Sequence, residues 1–186
     1  MKGTAGLGTQ SVKALAQHDP EHIYFTGRNR QAGETLIDEI KGATPQTNLT
    51  FIHMDLSSMA AVKAASRKFI HDRLDILMCN AGVMDVPPEL SADGFEIHFA
   101  TNHLGHTMLI RELLPVLLKT AEDPISDVRI VILSSVGWRV KPGGGVTWST
   151  VTTKQDSIYA AMVRYGYGIL RDRASSFSML TSIQTE

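Results

Sequence analysis

Closely spaced glycines near the amino terminus are the first residues whose types suggest chemistry. The chain reads Gly3-Thr4-Ala5-Gly6-Leu7-Gly8, and a helical pattern begins directly after it. Glycines permit a tight turn and close approach of the backbone to a pyrophosphate, which then lies at the amino terminus of the next helix. Gly6, Leu7 and Gly8 are therefore candidate ligands of a nucleotide phosphate. A plain turn at the start of a helix is the alternative interpretation.

A cationic residue stands where the next predicted strand ends. Arg28 lies about 20 residues after Gly8, where an acidic residue would bind the ribose 2′-hydroxyl of NAD and an arginine suits the 2′-phosphate of NADP. Guanidinium donors suit phosphate because they are planar and permanently charged. We therefore predict NADP as the cofactor, with Asn29 and Arg30 as further contacts. A surface arginine that begins a loop is the alternative.

Polar residues also follow the other apolar segments of the chain. Asp55 follows one, Asn80-Ala81-Gly82 follows another, and Ser134-Ser135 follows a third. Asp55 stands in front of a helical pattern, so an N-cap explains it as well as a role in ligand binding does. No Gly-x-Ser-x-Gly turn surrounds Ser135, which argues against a hydrolase nucleophile.

A polar group interrupts the longest helical pattern. His103 and His106 are three positions apart and lack nearby acidic or cysteine partners, so no metal site is predicted. Asn102 precedes them, and its simplest interpretation is a polar residue that caps or interrupts a helix.

The order and spacing of these segments resemble a known family. Asn80-Ala81-Gly82, Thr101–His106 and Ser134-Ser135 are similar to the core of the short-chain dehydrogenases/reductases, which move hydride between NAD(P) and a carbonyl or alcohol. Arg164-Tyr165-Gly166 resembles the branch of retinol dehydrogenases and their fungal relatives. The resemblance implies an NADP(H)-dependent oxidoreductase acting on a small carbonyl or alcohol, with a role in fungal-type secondary metabolism.

The same resemblance implies a role for each polar residue. Ser135 is expected to hydrogen-bond the substrate oxygen, Tyr165 to pass the proton, and Asn102 to kink its helix and hold a water in a proton relay. Asp55 is expected to hold the edge of the adenine ring, and Asn80 to pack beside the cofactor.

One position departs from the family pattern. Free tyrosine has a pKa of about 10, so it is a poor acid–base catalyst at neutral pH unless a neighbouring cation favours the phenolate. The family places a lysine four residues after its tyrosine, and this chain has Ile169 there. A catalytically impaired pseudoenzyme, or a degenerate or mispredicted fragment of such an enzyme, is therefore the alternative to an active oxidoreductase.

The elements that must position these residues alternate between short apolar segments and helical patterns, which is typical of parallel α/β architecture. We predict strands at 22–26, 49–54, 74–79 and 129–133, the last buried on both faces. We predict helices at 9–18, 32–41, 58–72 and 95–119, the last interrupted or ended near Pro115. The fold class is α/β, a Rossmann-like three-layer sandwich with a parallel sheet, and the resemblance implies that the first strand and the C-terminal elements are missing. Residues 1–168 form the partial nucleotide-binding domain, and 169–186 form a divergent, weakly structured tail.

Composition limits the range of partners. With 186 residues, 43% of them hydrophobic, the chain can bury one core. A net charge of -1 argues against nucleic acid, and no apolar run reaches the roughly 20 residues of a membrane span. The single cysteine, Cys79, fits a reducing compartment. We therefore predict a cytoplasmic protein with a small-molecule substrate and no membrane partner, and the resemblance implies a homodimer.

Overall fold

The computed structural model of the chain describes residues 4, 6–140, 146–156 and 163–166. Within this part, four strands alternate with helices in chain order. The strands are β1 (Ile23–Gly27), β2 (Leu49–His53), β3 (Ile76–Cys79) and β4 (Arg129–Ile132). The helices are α1 (Leu7–Ala16), α2 (Arg30–Ala43), α3 (Met59–Ser66), α4 (Ile97–Phe99) and α5 (Gly105–Ala121), with a π-helical turn at Ala100–Leu104 and a 3₁₀ turn at Val136–Val140.

The strands form two parallel pairs. β1 pairs with β2 from Ile23 opposite Leu49, and β3 pairs with β4 from Ile76 opposite Arg129. A helix precedes each following strand, as parallel pairing requires. In the described part of the chain, no ladder joins β1 to β3, and a cavity of about 530 Å³ is lined by residues of both strands. The architecture is the predicted α/β, Rossmann-like arrangement, with its sheet divided into two halves.

The apolar faces predicted from helical spacing pack on these strands. Val12 and Ala16 of α1 are buried together with Phe25 of β1, and Leu36 and Ile40 of α2 join the same cluster. A second cluster lies under α3, and a third lies between α5 and the β3–β4 pair. The strands and the four long helical patterns are therefore confirmed, each to within a few residues, except at the end of α3.

Three details of the sequence prediction are wrong. α3 ends at Ser66, short of residue 72, and isolated turns follow it. α5 runs through Pro115 to Ala121, because its buried residues on the β3–β4 pair outweigh the missing backbone hydrogen bond. The interruption of the long helix lies instead at the π-helical turn. β4 is only half-buried, since in the described residues it pairs on one side alone.

Some expectations lie outside the described residues, namely those for Gly3, Ile169 and the tail 169–186. In the described part, no helix combines the length and apolar character needed to cross a bilayer.

Candidate functional site

Four of the predicted site residues, Arg28, Asp55, Asn80 and Ser135, come shortly after the carboxyl ends of strands. Gly105, the first residue of α5, lies against the carbonyl of Leu56 after β2, and His106 Nε2 lies 2.7 Å from the carbonyl oxygen of Ala81 after β3. The start of α5 therefore joins the carboxyl ends of the two strand pairs at one edge. In open α/β sheets, this is the edge at which ligands bind.

The glycine-rich turn presents an uncapped helix terminus at this edge. Gly6 has φ 58° and ψ −136°, in the region that favours glycine, and precedes α1 without any side-chain cap. The first turn of α1 carries no acidic residue. Gly8 is buried, Leu7 is exposed, and Thr4 lies beside Gly27 at the end of β1. The free N–H groups and the positive end of the helix dipole suit an anionic phosphate.

The two residues after β1, Arg28 and Asn29, have different environments. Arg28 is exposed, directly after the last residue of β1, and pairs with no carboxylate in the described part of the chain. Asn29 is the N-cap of α2, since its side-chain oxygen accepts a hydrogen bond from Ala32 N at 3.1 Å. The Asn29 oxygen is thus already engaged, whereas the Arg28 guanidinium remains available to an anion.

The carboxylate after β2 is fixed by its own loop. Asp55 Oδ1 accepts hydrogen bonds from Ser57 N at 3.0 Å and from Ser57 Oγ at 2.8 Å. Ser58 is the N-cap of α3, accepting from Ala61 N at 3.3 Å. The N-cap interpretation of Asp55 is therefore wrong, because a serine three positions later occupies that place. Its contact with an adenine ring stays a prediction.

The loop after β3 is held by the interrupted helix. Asn102 Oδ1 accepts from Val83 N at 2.7 Å, and Asn102 Nδ2 donates to Val83 O at 2.9 Å. Asn102 is buried within the π-helical turn, a feature that is frequent at functional sites. Both polar atoms of its side chain are engaged with this loop, and its part in a proton relay stays a prediction.

Asn80 presents an unsatisfied acceptor beside the cavity. Its Oδ1 atom is buried and has no hydrogen-bond partner among the described residues, and Asn80 lines the cavity between β1 and β3. Buried polar side-chain atoms are hydrogen-bonded in most structures, so this oxygen suits a donor from outside the described residues.

Ser135 and Tyr165 both lie beside Gly137. Ser135 Oγ accepts a hydrogen bond from Gly137 N at 3.2 Å. The Tyr165 ring packs directly on Gly137, because a Cβ placed there would lie 2.5 Å from Cε1 and 2.7 Å from Cδ1. The structure thus brings together the two hydroxyl-bearing residues that the sequence predicted as catalytic. Sequence reasoning missed Gly137, and the only available signal was a glycine two residues after the serine.

A buried ionic cluster adjoins the tyrosine, and sequence reasoning missed it as well. Arg164 Nε lies 3.3 Å from Glu96 Oε1, and His98 Nδ1 lies 2.8 Å from the same oxygen. All three side chains are almost completely buried. The only signal in the sequence was an Arg adjacent to the tyrosine.

The histidines in the long helix contact protein groups. The His103 ring lies 5.3 Å from the ring of Phe99, centre to centre, and His106 lies against Ala81 as described above. The described residues contain no group of three or more metal-ligating side chains.

Comparisons with known proteins agree on one family. The family model described as short chain dehydrogenase matches residues 2–151. Short-chain dehydrogenase/reductase drtF of Aspergillus calidoustus is 33% identical over 169 residues, covering 88% of this chain and 52% of drtF. Retinol dehydrogenase 11 of Mus musculus is 36% identical over 134 residues, covering 71% of this chain and 40% of that protein. The chain thus spans about half or less of the length of these relatives.

Solved structures show the same fold. A short-chain dehydrogenase from Sphingobium yanoikuyae in complex with NADPH superposes with a TM-score of 0.71 at 17% identity, covering 97% of this chain and 62% of that one. A protein from Mycobacterium paratuberculosis gives a TM-score of 0.75 at 23% identity, covering 97% of this chain and 61% of that one.

Proposed function

The chain belongs to the short chain dehydrogenase family, and we propose on this basis that it is an NADP(H)-dependent oxidoreductase acting on a small carbonyl or alcohol. The observation that carries the proposal is the meeting of Ser135 and Tyr165 around Gly137. One hydroxyl can orient a substrate oxygen while the other exchanges a proton with it. Asn102 supports the two by holding the loop after β3.

The residues at the carboxyl edge fit a dinucleotide. The uncapped start of α1 after Gly6 suits the pyrophosphate, and the exposed Arg28 suits a 2′-phosphate. The Asn80 oxygen, which has no partner among the described residues, follows β3, and the carboxylate of Asp55 follows β2. The nicotinamide would supply or accept the hydride when bound, and the chain's own residues would bind the phosphates and hold the substrate oxygen. The solved structure of the short-chain dehydrogenase from Sphingobium yanoikuyae, which is in complex with NADPH, supports the choice of NADP.

A second candidate is a catalytically impaired protein that retains only cofactor binding, and Ile169 favours it. Isoleucine is uncharged, so it cannot favour the phenolate form of Tyr165 as the family's lysine would, and general acid–base assistance typically contributes about 10² to 10⁴ in rate. We therefore expect the unaltered chain to turn over very slowly.

NADPH consumption with a panel of ketones and quinones decides between the two candidates. The assay compares the unaltered chain, Ile169→Lys, and each of these with Tyr165→Phe added. Slow turnover by the unaltered chain that rises with Ile169→Lys and disappears with Tyr165→Phe supports an oxidoreductase site that is impaired at position 169. Robust turnover by the unaltered chain, lost on Tyr165→Phe, contradicts the impaired-protein candidate. Turnover in none of the variants, with NADPH still bound, contradicts the oxidoreductase candidate.

The cellular setting completes the proposal. We place the protein in the cytoplasm, as a homodimer, with a small-molecule substrate and a role in fungal-type secondary metabolism. The fungal source of drtF supports the last point. Size-exclusion chromatography with light scattering tests the dimer, and a mass of 20.4 kDa would contradict it.

A further inference from the structure

The residue that precedes the tyrosine is one of the most buried charged groups of the described chain. The Arg164 side chain is 3% exposed, and the Glu96 side chain that pairs with it is 1% exposed. Burying a charge is costly unless it is paired, and even a paired buried charge contributes little to stability compared with apolar residues of the same volume. Such a pair therefore calls for an explanation other than stability.

Arg164 also connects two loops. Its terminal nitrogens donate to the carbonyl oxygens of Gln155 and, at 3.4 Å, of Val86. Gln155 has φ 55° and Asp85, which precedes Val86, has φ 54°. These left-handed conformations are costly for residues other than glycine and persist where the surrounding contacts enforce them. The guanidinium supplies such contacts at both loops.

Glu96 connects the pair to the interrupted helix. Its Oε2 accepts from Phe99 N at 2.9 Å and thereby caps the short α4, which leads into the π-helical turn of Asn102. Its backbone N donates to Val151 O at 2.7 Å. One ion pair thus links the tyrosine to the helix of Asn102 and to the loops on either side.

We propose that the Glu96–Arg164 pair is the positioning element that sets the Tyr165 ring against Gly137 and Ser135. Residues 163–166 are helical, and the buried contacts of their side chains hold this segment against the rest of the fold. Arg164 supplies them, because its side chain is fixed at three points while the adjacent ring packs on Gly137. This inference rests on the proposed function, in which Tyr165 exchanges the proton.

Paired substitutions in the full chain test the proposal. Glu96→Gln, Arg164→Lys and the double variant Glu96→Gln with Arg164→Met are compared in the Ile169→Lys background. We expect kcat to fall roughly 10²-fold in the double variant, as for a misplaced catalytic group. KM and NADPH affinity should stay within about 2-fold, because no phosphate or substrate ligand is removed. Arg164→Lys should recover part of kcat, since lysine keeps the charge but lacks the planar fork.

An exposed ion pair provides the matched control. Lys13 and Glu39 pair at 2.7 Å with both side chains well exposed, so Glu39→Gln should leave kcat unchanged. The double variant removes the charges of both Glu96 and Arg164, so neither is left buried without the other, and it decides the test even where a single substitution unfolds the chain. If the double variant folds and has the same kcat as its parent, the proposal is overturned.

A second measurement separates this proposal from the function on which it rests. Hydrogen exchange, read by mass spectrometry, reports protection at residues 163–166 without any turnover. If the parent reduces no substrate, the proposed function fails. Protection that is lost only at residues 163–166 in the double variant still supports the Glu96–Arg164 pair as the positioning element. Unchanged protection of residues 163–166 in the double variant overturns this role of the pair, whatever activity is measured.

Discussion

Gly137 offers the sharpest test of the proposed site, because a single methyl group there enters the space of the tyrosine. A Cβ at position 137 would lie 2.5 Å from Tyr165 Cε1, whereas ordinary contacts begin near 3.4 Å. Gly137→Ala must therefore push the ring away from the loop that carries Ser135.

The size of the effect follows from this geometry. The ring has to retreat by roughly 1 Å, and a displacement of that size at a reacting group can cost about 10²-fold in rate. This corresponds to about 2.7 kcal/mol of activation free energy. The substitution leaves the α1 turn and Arg28 unchanged, so NADPH affinity should not change.

The assay follows NADPH oxidation with the best ketone or quinone of the panel, in the Ile169→Lys background and in the unaltered chain. Fluorescence titration measures NADPH affinity in parallel. Gly42→Ala is the matched control, because nothing lies within 4 Å of a Cβ placed there in α2. It should keep full activity and gain about 0.5–1 kcal/mol of stability from the better helix propensity of alanine.

One result would refute this reasoning. If Gly137→Ala turns over as fast as its parent, with kcat and KM unchanged, then the contact between the tyrosine ring and position 137 does not determine the reaction geometry. A loss of NADPH affinity as large as the loss of kcat would instead show a general disturbance of the fold.

Three further predictions concern the cofactor, the packing at the edge of the sheet and pH. Arg28→Asp should weaken NADPH binding by about 10- to 100-fold in fluorescence titrations and NADH binding far less, because a charge-assisted contact is lost only with NADPH. Gly105→Ala should destabilise the fold by about 1–3 kcal/mol in urea unfolding, because its Cβ would lie 2.9 Å from Leu56 Cβ. Burial and the neighbouring His71 lower the pKa of His22 from 6.5, which favours the neutral ring in the fold. The contribution of the neutral His22 ring to stability is thus complete above pH 6.5 and is lost as pH falls through the lower pKa of the folded state. The Tm of His22→Gln should therefore fall less than the Tm of the parent between about pH 8 and about pH 5.

An exposed arginine serves as the control for the cofactor prediction: Arg67→Asp should change NADPH and NADH binding equally. Equal weakening of both cofactors by Arg28→Asp would contradict the assignment of Arg28. Wild-type stability in Gly105→Ala would contradict the close approach of α5 to the loop after β2. An unchanged pH dependence in His22→Gln would contradict the shift of the His22 pKa.

The sequence was sufficient for the parts of the protein that depend on local spacing. Apolar residues at helical or strand periodicity predicted each strand and long helix, because the periodicity records which face is buried. The glycine-rich turn before α1 could also be predicted, because the positive φ of Gly6 favours glycine. The family could be predicted from the order of short motifs, of which Asn80-Ala81-Gly82 follows β3 and Ser134-Ser135 follows β4.

Other features required the tertiary structure, because they join residues that are distant in the chain. Arg164 and Val86 are 78 residues apart, and an arginine beside a tyrosine looks like a surface residue until its partners are known. The N-cap was one of two interpretations of Asp55 that the sequence left open, and it is wrong because the structure shows Ser58 in that place. The close contact of Gly137 with Tyr165 likewise leaves no periodic trace. Periodicity reports which face of an element is buried, whereas the direction of a side chain and the identity of its partner are decided only when the elements pack together.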